Sequence, residues 1–326
     1  MSIEVVSFGE TMAMVAPIQA SSLLDAQTFQ INPGGAESNV AMYLSSLGHS
    51  TAWVSRLGDD PLGHLILRYV AAAGVDTSSV EMDQSHRTGV FFKDPTPEGT
   101  RVFYYRENSA ASQSGLSILE KIHSHRPSII HLTGITPALS PQCDGLIERL
   151  MENRLEGSPL VSFDVNFRPG LWSREIAATR LLELAQAADI VFVGMDEATE
   201  IWRTTGSDEV RQLLNRPPVV VVKNGGIGAT CYHGGDSTYV ATPRSNIVEL
   251  IGAGDAFASG WLSGYLQGRS HEERLRLGHL VASVAMQSTA DHRPLPSWDW
   301  LQPAIRVADN EWHGVLETQH TSHVNG

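Results

Sequence analysis

Apolar residues recur along this chain in two rhythms. Short runs rich in β-branched and aromatic residues read as strands buried on both faces: EVVSFG (4–9), STAWVSRLG (50–58), SIIHLTG (128–134), PLVSFDVN (159–166), DIVFVG (189–194) and PPVVVVK (217–223). Between several of them lie stretches with helical spacing: SNVAMYLSSLG (38–48), PLGHLILRYVAAAG (61–74), SPQCDGLIERLMENRL (140–155) and REIAATRLLELAQAA (174–188). Strands alternating with amphipathic helices predict an α/β fold with a mainly parallel central sheet flanked by helices.

Two segments break the alternation. TGVFFKDPTPEGTRVFYYRE (88–107) reads as a hairpin around a Pro/Gly-rich turn, and GATCYHGGDSTYVATP (228–243) as a second one turning at His233 to Asp236. The first is placed where a small β-strand lid would be. No repeat, linker or low-complexity tract divides the chain, so residues 1–326 are expected to form one domain with lid strands near 88–107. The pattern fades into a tail expected to be flexible from about 313, whose three histidines read as solvated.

Composition narrows the class. With 42% apolar and 18% charged residues the chain can build a large core, which disorder-prone sequences cannot. The formal charge of -13, from 36 acidic and 23 basic residues with no basic run, argues against a nucleic-acid partner. No apolar stretch is long enough for a membrane span, and no basic, apolar leader opens the chain. Cys143 and Cys231 stand far apart without metal-ligand spacing, as suits a cytoplasmic protein.

For phosphate chemistry, the P-loop pattern is absent. A partial dinucleotide pattern at Gly226, Gly228 and Cys231 lacks its last glycine and is followed by a strand, so a nicotinamide-dependent oxidoreductase is disfavoured. The stretch GAGDAFASG (252–260) is more informative. Gly252, Ala253 and Gly254 open an apolar helical run, and small residues let an anion approach the unpaired N–H groups of a first helical turn. Asp255 beside such a cradle makes sense as a base for a hydroxyl attacking phosphorus. The alternative is an aspartate closing an ordinary glycine turn.

GAGDAFASG, together with NPGGAESNVAMYLSSLG (32–48), resembles the two signatures of the ribokinase-like, or PfkB-type, carbohydrate kinases. PVVVVKNGGIGA resembles that family's nucleotide-binding strand and loop, so the likeness spans about residues 3–296. The resemblance implies a ribokinase-like fold with a β lid over the sugar, and Asp255 as the catalytic base. It places the anion hole at Gly252, Ala253 and Gly254, and sugar contacts at Gly34, Gly35 and Asn39. ATP would be bordered by Lys223, Asn224, Gly225, Gly226 and Gly228, with Mg2+ bridging its phosphates and a monovalent cation as a further allowed cofactor.

The family's Asn-x-x-Glu motif maps onto Gly194 to Glu197, where the Asn is Gly194 and Glu197 remains as an indirect magnesium contact. Gly194 also falls among the ATP contacts. YYRENSAAS (104–112) and DVNFRPGLW (164–172) resemble the branch acting on 2-keto-3-deoxygluconate. An acid substrate suits guanidinium partners. Arg106 is expected at its carboxylate, with Tyr104 nearby; Asn166 and Arg168 face the ATP phosphates, with Arg168 also within reach of the substrate. Phe91, Asp291 and Glu10 are further sugar-side positions, although period-two alternation also makes Phe91 core and Glu10 reads equally as a solvated turn residue. A neutral-sugar kinase and a non-catalytic sugar sensor are the competing readings. An exposed lid edge would allow a homodimer.

Overall fold

The structure, a computed structural model, describes residues 3–18, 22–96, 99–152, 157–245, 247, 249–287 and 292–316. β1 (Val5–Phe8) is followed by two strands that the pattern above did not mark, β2 (Met12–Pro17) and β3 (Phe29–Gly34). Next come β4 (Thr51–Val54) and a short parallel pair, β5 (Arg56–Gly58) with β6 (Glu81–Asp83). The first predicted hairpin is β7 (Val90–Thr96) with β8 (Gly99–Tyr105). β9 (Ile129–Thr133), β10 (Leu160–Asp164), β11 (Ile190–Gly194) and β12 (Val219–Asn224) are the remaining apolar runs, and β13 (Gly228–His233) and β14 (Asp236–Ala241) the second hairpin. Its turn residues Gly234 and Gly235 both have positive φ, 55° and 95°, which glycine adopts without strain.

The central sheet runs β14-β13-β12-β11-β10-β9-β1-β4. From β12 to β4 every neighbouring pair is parallel, and the hairpin adds two antiparallel strands at one edge. The lid is a separate four-stranded sheet, β3-β2-β7-β8. It therefore draws on residues 12–34 as well as the expected 88–107.

Helices α1 (Ala36–Ser46) and α2 (Pro61–Ala72) precede the lid hairpin; α2 is capped by Asp60, whose carboxylate accepts from Leu62 N and Gly63 N at 3.0 and 2.9 Å. Then follow α3 (Ser117–Ser124), α4 (Pro141–Glu152), α5 (Arg174–Ala187), α6 (Met195–Trp202) and α7 (Ser207–Leu213). These five bury residues such as Ile118, Leu146, Leu181, Ile201 and Val210 against one face of the sheet. The other face is covered by α1, α8 (Ala253–Leu266), α9 (His271–Ala285) and α10 (Trp298–Ile305), through Val40, Trp261, Leu280 and Leu301. After the short α11 (Asp309–Trp312), Val315 and Leu316 join that same core, so the chain is packed past the expected tail boundary at 313. Residues 317–326 lie outside the described residues.

Candidate active site

A cavity of about 490 Å3 opens where β10, β11 and β12 end, the edge at which parallel α/β sheets bind ligands. The start of α8 forms part of its wall, and Met12, Phe91, Val102, Tyr104 and Arg106 of the lid segment close over it. Gly35 caps α1 with no room for a side chain: a Cβ there would stand 2.6 Å from Glu10 O and 2.8 Å from Thr11 Cα, both backbone atoms. Gly35 thus lets the start of α1 lie directly on the chain passing from β1 to the lid.

The two sequence motifs meet at Asp255. Asn39 Nδ2 donates to Asp255 Oδ2 at 3.0 Å, across the contact between α1 and α8. Burial pushes the Asp255 carboxyl up to about 6, against the opposing effect of the Asn39 hydrogen bond. Gly252 begins α8 with φ 83°, a left-handed conformation suited to glycine. The Ala253 N–H turns back to Leu250 O at 3.2 Å, so within the expected anion hole this donor is already engaged.

Charge is concentrated beside that turn. Lys223, at the end of β12, donates to Asp164 Oδ2 at 2.7 Å, and a Cβ at Gly254 would lie 3.3 Å from its Nζ. Burial opposes the ammonium, yet Asp164 and Glu197 outweigh it and hold the Lys223 pKa above its usual value. Burial and the nearby Asp164 raise the Glu197 pKa, while its Oε2 accepts from Gly194 N at 2.8 Å. Arg168 Nη1 lies 4.0 Å from Glu197 Oε1. At Gly194 a Cβ would stand 2.4 Å from Asp196 Oδ1, the end of an exposed side chain that can turn aside, so the space itself does not bar the family's Asn. Asn166 has a positive φ of 40° and a buried Oδ1 without a partner among the described residues.

Magnesium is commonly held by one or two carboxylates together with water and phosphate oxygens. Asp164 fits that mode: its Oδ1 is buried with no partner among the described residues, and Glu197 lines the same cavity. Both are close enough to Lys223 for their charges to be felt there.

On the sugar side, Arg106 Nη2 is ion-paired with Glu10, whose other carboxylate oxygen accepts a hydrogen bond from Ser109 Oγ. Arg106 also lies over the Tyr104 ring at 5.7 Å, and its buried Nε has no partner among the described residues. Phe91 is buried and also lines the cavity.

The cavity brings together Gly34, Gly35, Asn39, Phe91, Tyr104, Arg106, Asn166, Arg168, Gly194, Glu197, Lys223, Gly225, Gly252, Ala253, Gly254 and Asp255. Asn224 and Gly226 are exposed in the β12–β13 turn and do not line it. Gly228 departs from its expected place on the ATP border: it is buried at the start of β13, where a Cβ would meet Tyr239 Oη and Val240 O at 2.6 Å each. Its glycine serves strand packing. Asp291 lies outside the described residues.

The sequence reading did not single out Asp164, which lines the cavity and pairs with Lys223, nor the buried groups Glu37 and His131. Glu37 Oε1 accepts from Thr133 and Thr136 at 2.7 and 3.0 Å, and burial raises its pKa to about 7. His131, paired with Ser162 at 3.0 Å, is held down to about 4 by burial. Only the polar residue interrupting an apolar run, as in SIIHLTG, could have marked such positions.

Comparison with known proteins places this architecture in a recognised class. The family model described as pfkB family carbohydrate kinase matches residues 2–298. A 2-dehydro-3-deoxygluconokinase of Bacillus subtilis is 33% identical over 303 residues, covering 91% of this chain and 94% of that protein. Fructokinase-1 of Oryza sativa is 34% identical over 272 residues, covering 81% and 83%. The crystal structure of a PfkB protein from Polaromonas superposes with a TM-score of 0.83 at 32% identity, covering 92% and 99%. The fold is ribokinase-like and the activity that of a phosphotransferase with an alcohol acceptor. This chain belongs to the pfkB family of carbohydrate kinases.

Proposed function

We propose that the chain transfers the terminal phosphoryl group of ATP to the C6 hydroxyl of 2-keto-3-deoxygluconate. The observation that carries this reading is Asp255, buried at the start of α8 and facing the same cavity as Arg106 and Arg168. Asp255 accepts the proton of the attacking hydroxyl, and Asn39 orients the carboxylate through its 3.0 Å hydrogen bond. Lys223 and the N–H groups of the α8 start other than that of Ala253 face the transferring phosphoryl charge. Asp164 and Glu197 would hold magnesium, which would supply neutralisation of the phosphate charge. Arg106 and Tyr104 meet the acid end of the sugar, and the lid excludes water. The relationship to the Bacillus enzyme supports this choice of substrate. The lid sheet's edge strands, β3 and β8, pair with no further strand among the described residues, which supports a homodimer formed through the lid.

A neutral-sugar kinase is the second reading, favoured by one observation: Glu10 already balances the charge of Arg106. Parallel assays of ADP and sugar phosphate with 2-keto-3-deoxygluconate, 2-keto-3-deoxygalactonate, gluconate, fructose and ribose decide between them. Turnover confined to the keto-deoxy acids, lost selectively in Arg106→Ala, is the expected result. Preference for fructose or ribose overturns the acid reading, and ligand binding without turnover on any sugar points to a sensor.

A further inference from the structure

Among the described residues, a hydrogen bond links the lid to the stretch before the anion-hole turn. Thr100, the second residue of β8, donates from Oγ1 to Glu249 Oε2 at 2.9 Å. Glu249 belongs to the stretch that leads into the anion-hole turn, and its N–H and both carboxylate oxygens are hydrogen-bonded. Its other carboxylate oxygen accepts from Leu250 N at 3.0 Å, and its N–H donates to Met286 O at the end of α9 at 3.1 Å. Leu250 O in turn receives the Ala253 N–H. Leu250, Ile251 and Gly252 all line the cavity. The lid hairpin is thereby connected, through one carboxylate and two backbone bonds, to the first residue of the helix that carries Asp255.

We infer that Thr100 and Glu249 are positioning residues, a latch that sets the anion-hole turn only when the lid is down over the sugar. The inference rests on the kinase reading above and deepens it. A turn fixed in this way would engage the transferring phosphoryl group in the lid-down state, and an unlatched lid would admit water as a competing acceptor. That competition balances simply: the P–O bond to ADP breaks, water supplies the new P–O bond, and inorganic phosphate and ADP leave in place of sugar phosphate. The hydrogen bond is half-buried and its acceptor is charged, so its loss is worth up to about tenfold in an equilibrium between latched and unlatched states.

The test uses the full chain with Thr100→Val, Thr100→Ser, Glu249→Ala and the Thr100→Val/Glu249→Ala double variant. Valine keeps the branched shape and strand preference of threonine while deleting the donor, so the hairpin itself should persist. With whichever sugar the wild type phosphorylates, Thr100→Val should lower kcat/KM for the sugar by about 5- to 10-fold. It should also raise the share of ADP not matched by sugar phosphate. Serine should restore both, and the double variant should lose little beyond either single one. Unchanged coupling and kcat/KM in Thr100→Val, or fully additive losses, would overturn the latch. If the wild type phosphorylates no sugar, the kinase reading fails by itself, and amide hydrogen exchange over residues 99–105 still decides the latch. Faster exchange in Thr100→Val but not in Thr100→Ser supports it; equal exchange in all three proteins refutes it.

Discussion

Asp255 must carry a charge to accept a proton, and its surroundings resist that charge. Burial holds the carboxyl near 6, well above the usual 3.8 of an aspartate, while the Asn39 hydrogen bond pulls the other way. With Asp255 as the proposed base, the ionised form is the active one, and protonation is expected to switch the enzyme off from the acid side. kcat/KM should be level above pH 7 and fall about tenfold for each pH unit below about 6. Asp255→Asn should lower turnover by about 10²- to 10⁴-fold with ATP binding retained, and the residual rate should lack this acid limb. A wild-type profile flat down to pH 4.5 would remove Asp255 from the role of base. The sequence made Asp255 legible because a rigid motif surrounds it: glycines before, a helix after. Glu37 had no such frame. Its environment is made by Thr133 and Thr136, nearly 100 positions away along the chain, and no local pattern announces a contact of that range.

Elements meet more closely at some glycines than a side chain would allow. Gly260 lies in α8 where it crosses α9, and a Cβ there would stand 2.6 Å from Leu277 O, 2.8 Å from Leu277 C and 2.9 Å from Gly278 Cα. All three are backbone atoms, so relief requires α9 to shift. Gly145, in α4, would put its Cβ into open space. The same substitution should therefore have opposite signs at the two sites. Gly260→Ala should destabilise by about 1–3 kcal/mol through overpacking, and Gly145→Ala should stabilise by about 0.5–1 kcal/mol through helix propensity. Urea unfolding of both variants checks the pair, and equal effects would refute the packing argument. At this scale the parallel strands and helices α1, α2, α4, α5 and α8 were readable from periodicity, because long apolar runs and i, i+4 spacing are local, whereas the sequence reading did not mark α3, α6, α7, α9, α10 and α11. The lid was half readable. β7 and β8 advertise themselves by β-branched and aromatic residues around a Pro/Gly turn, whereas β2 (MAMVAP) is rich in methionine and alanine and β3 (FQINPG) ends in Pro and Gly. Their strand character comes from pairing, Ala13 with Val90 and Val15 with Ile31, which only the fold supplies.

For the molecule as a whole, the lid sheet has two faces with different duties. Met12, Phe91, Val102 and Tyr104 face the cavity. Registered across the four strands runs a second row: Ile31 opposite Val15, Val15 opposite Phe92, and Phe92 opposite Phe103. Phe29, Ile31, Phe103 and Tyr105 are 40%, 42%, 46% and 67% exposed, a run of apolar surface on a sheet whose edge strands have no further strand partner among the described residues. Scattered exposed apolar residues need no explanation, but a registered row spanning a sheet is a surface that another chain can cover. If two copies meet through their lids, the protein should sediment as a pair of chains at micromolar concentration, and Phe103→Glu should shift it to single chains. Placed in that outward row, the new charge leaves Asp255, Lys223 and the cavity floor untouched. Sugar phosphorylation should then separate the two roles of the lid: a dimer needed only for stability leaves kcat intact in the monomeric variant, whereas a dimer that holds the lid down lowers it. A wild-type protein that sediments as a single chain at every concentration would reduce the outer row to ordinary exposed surface.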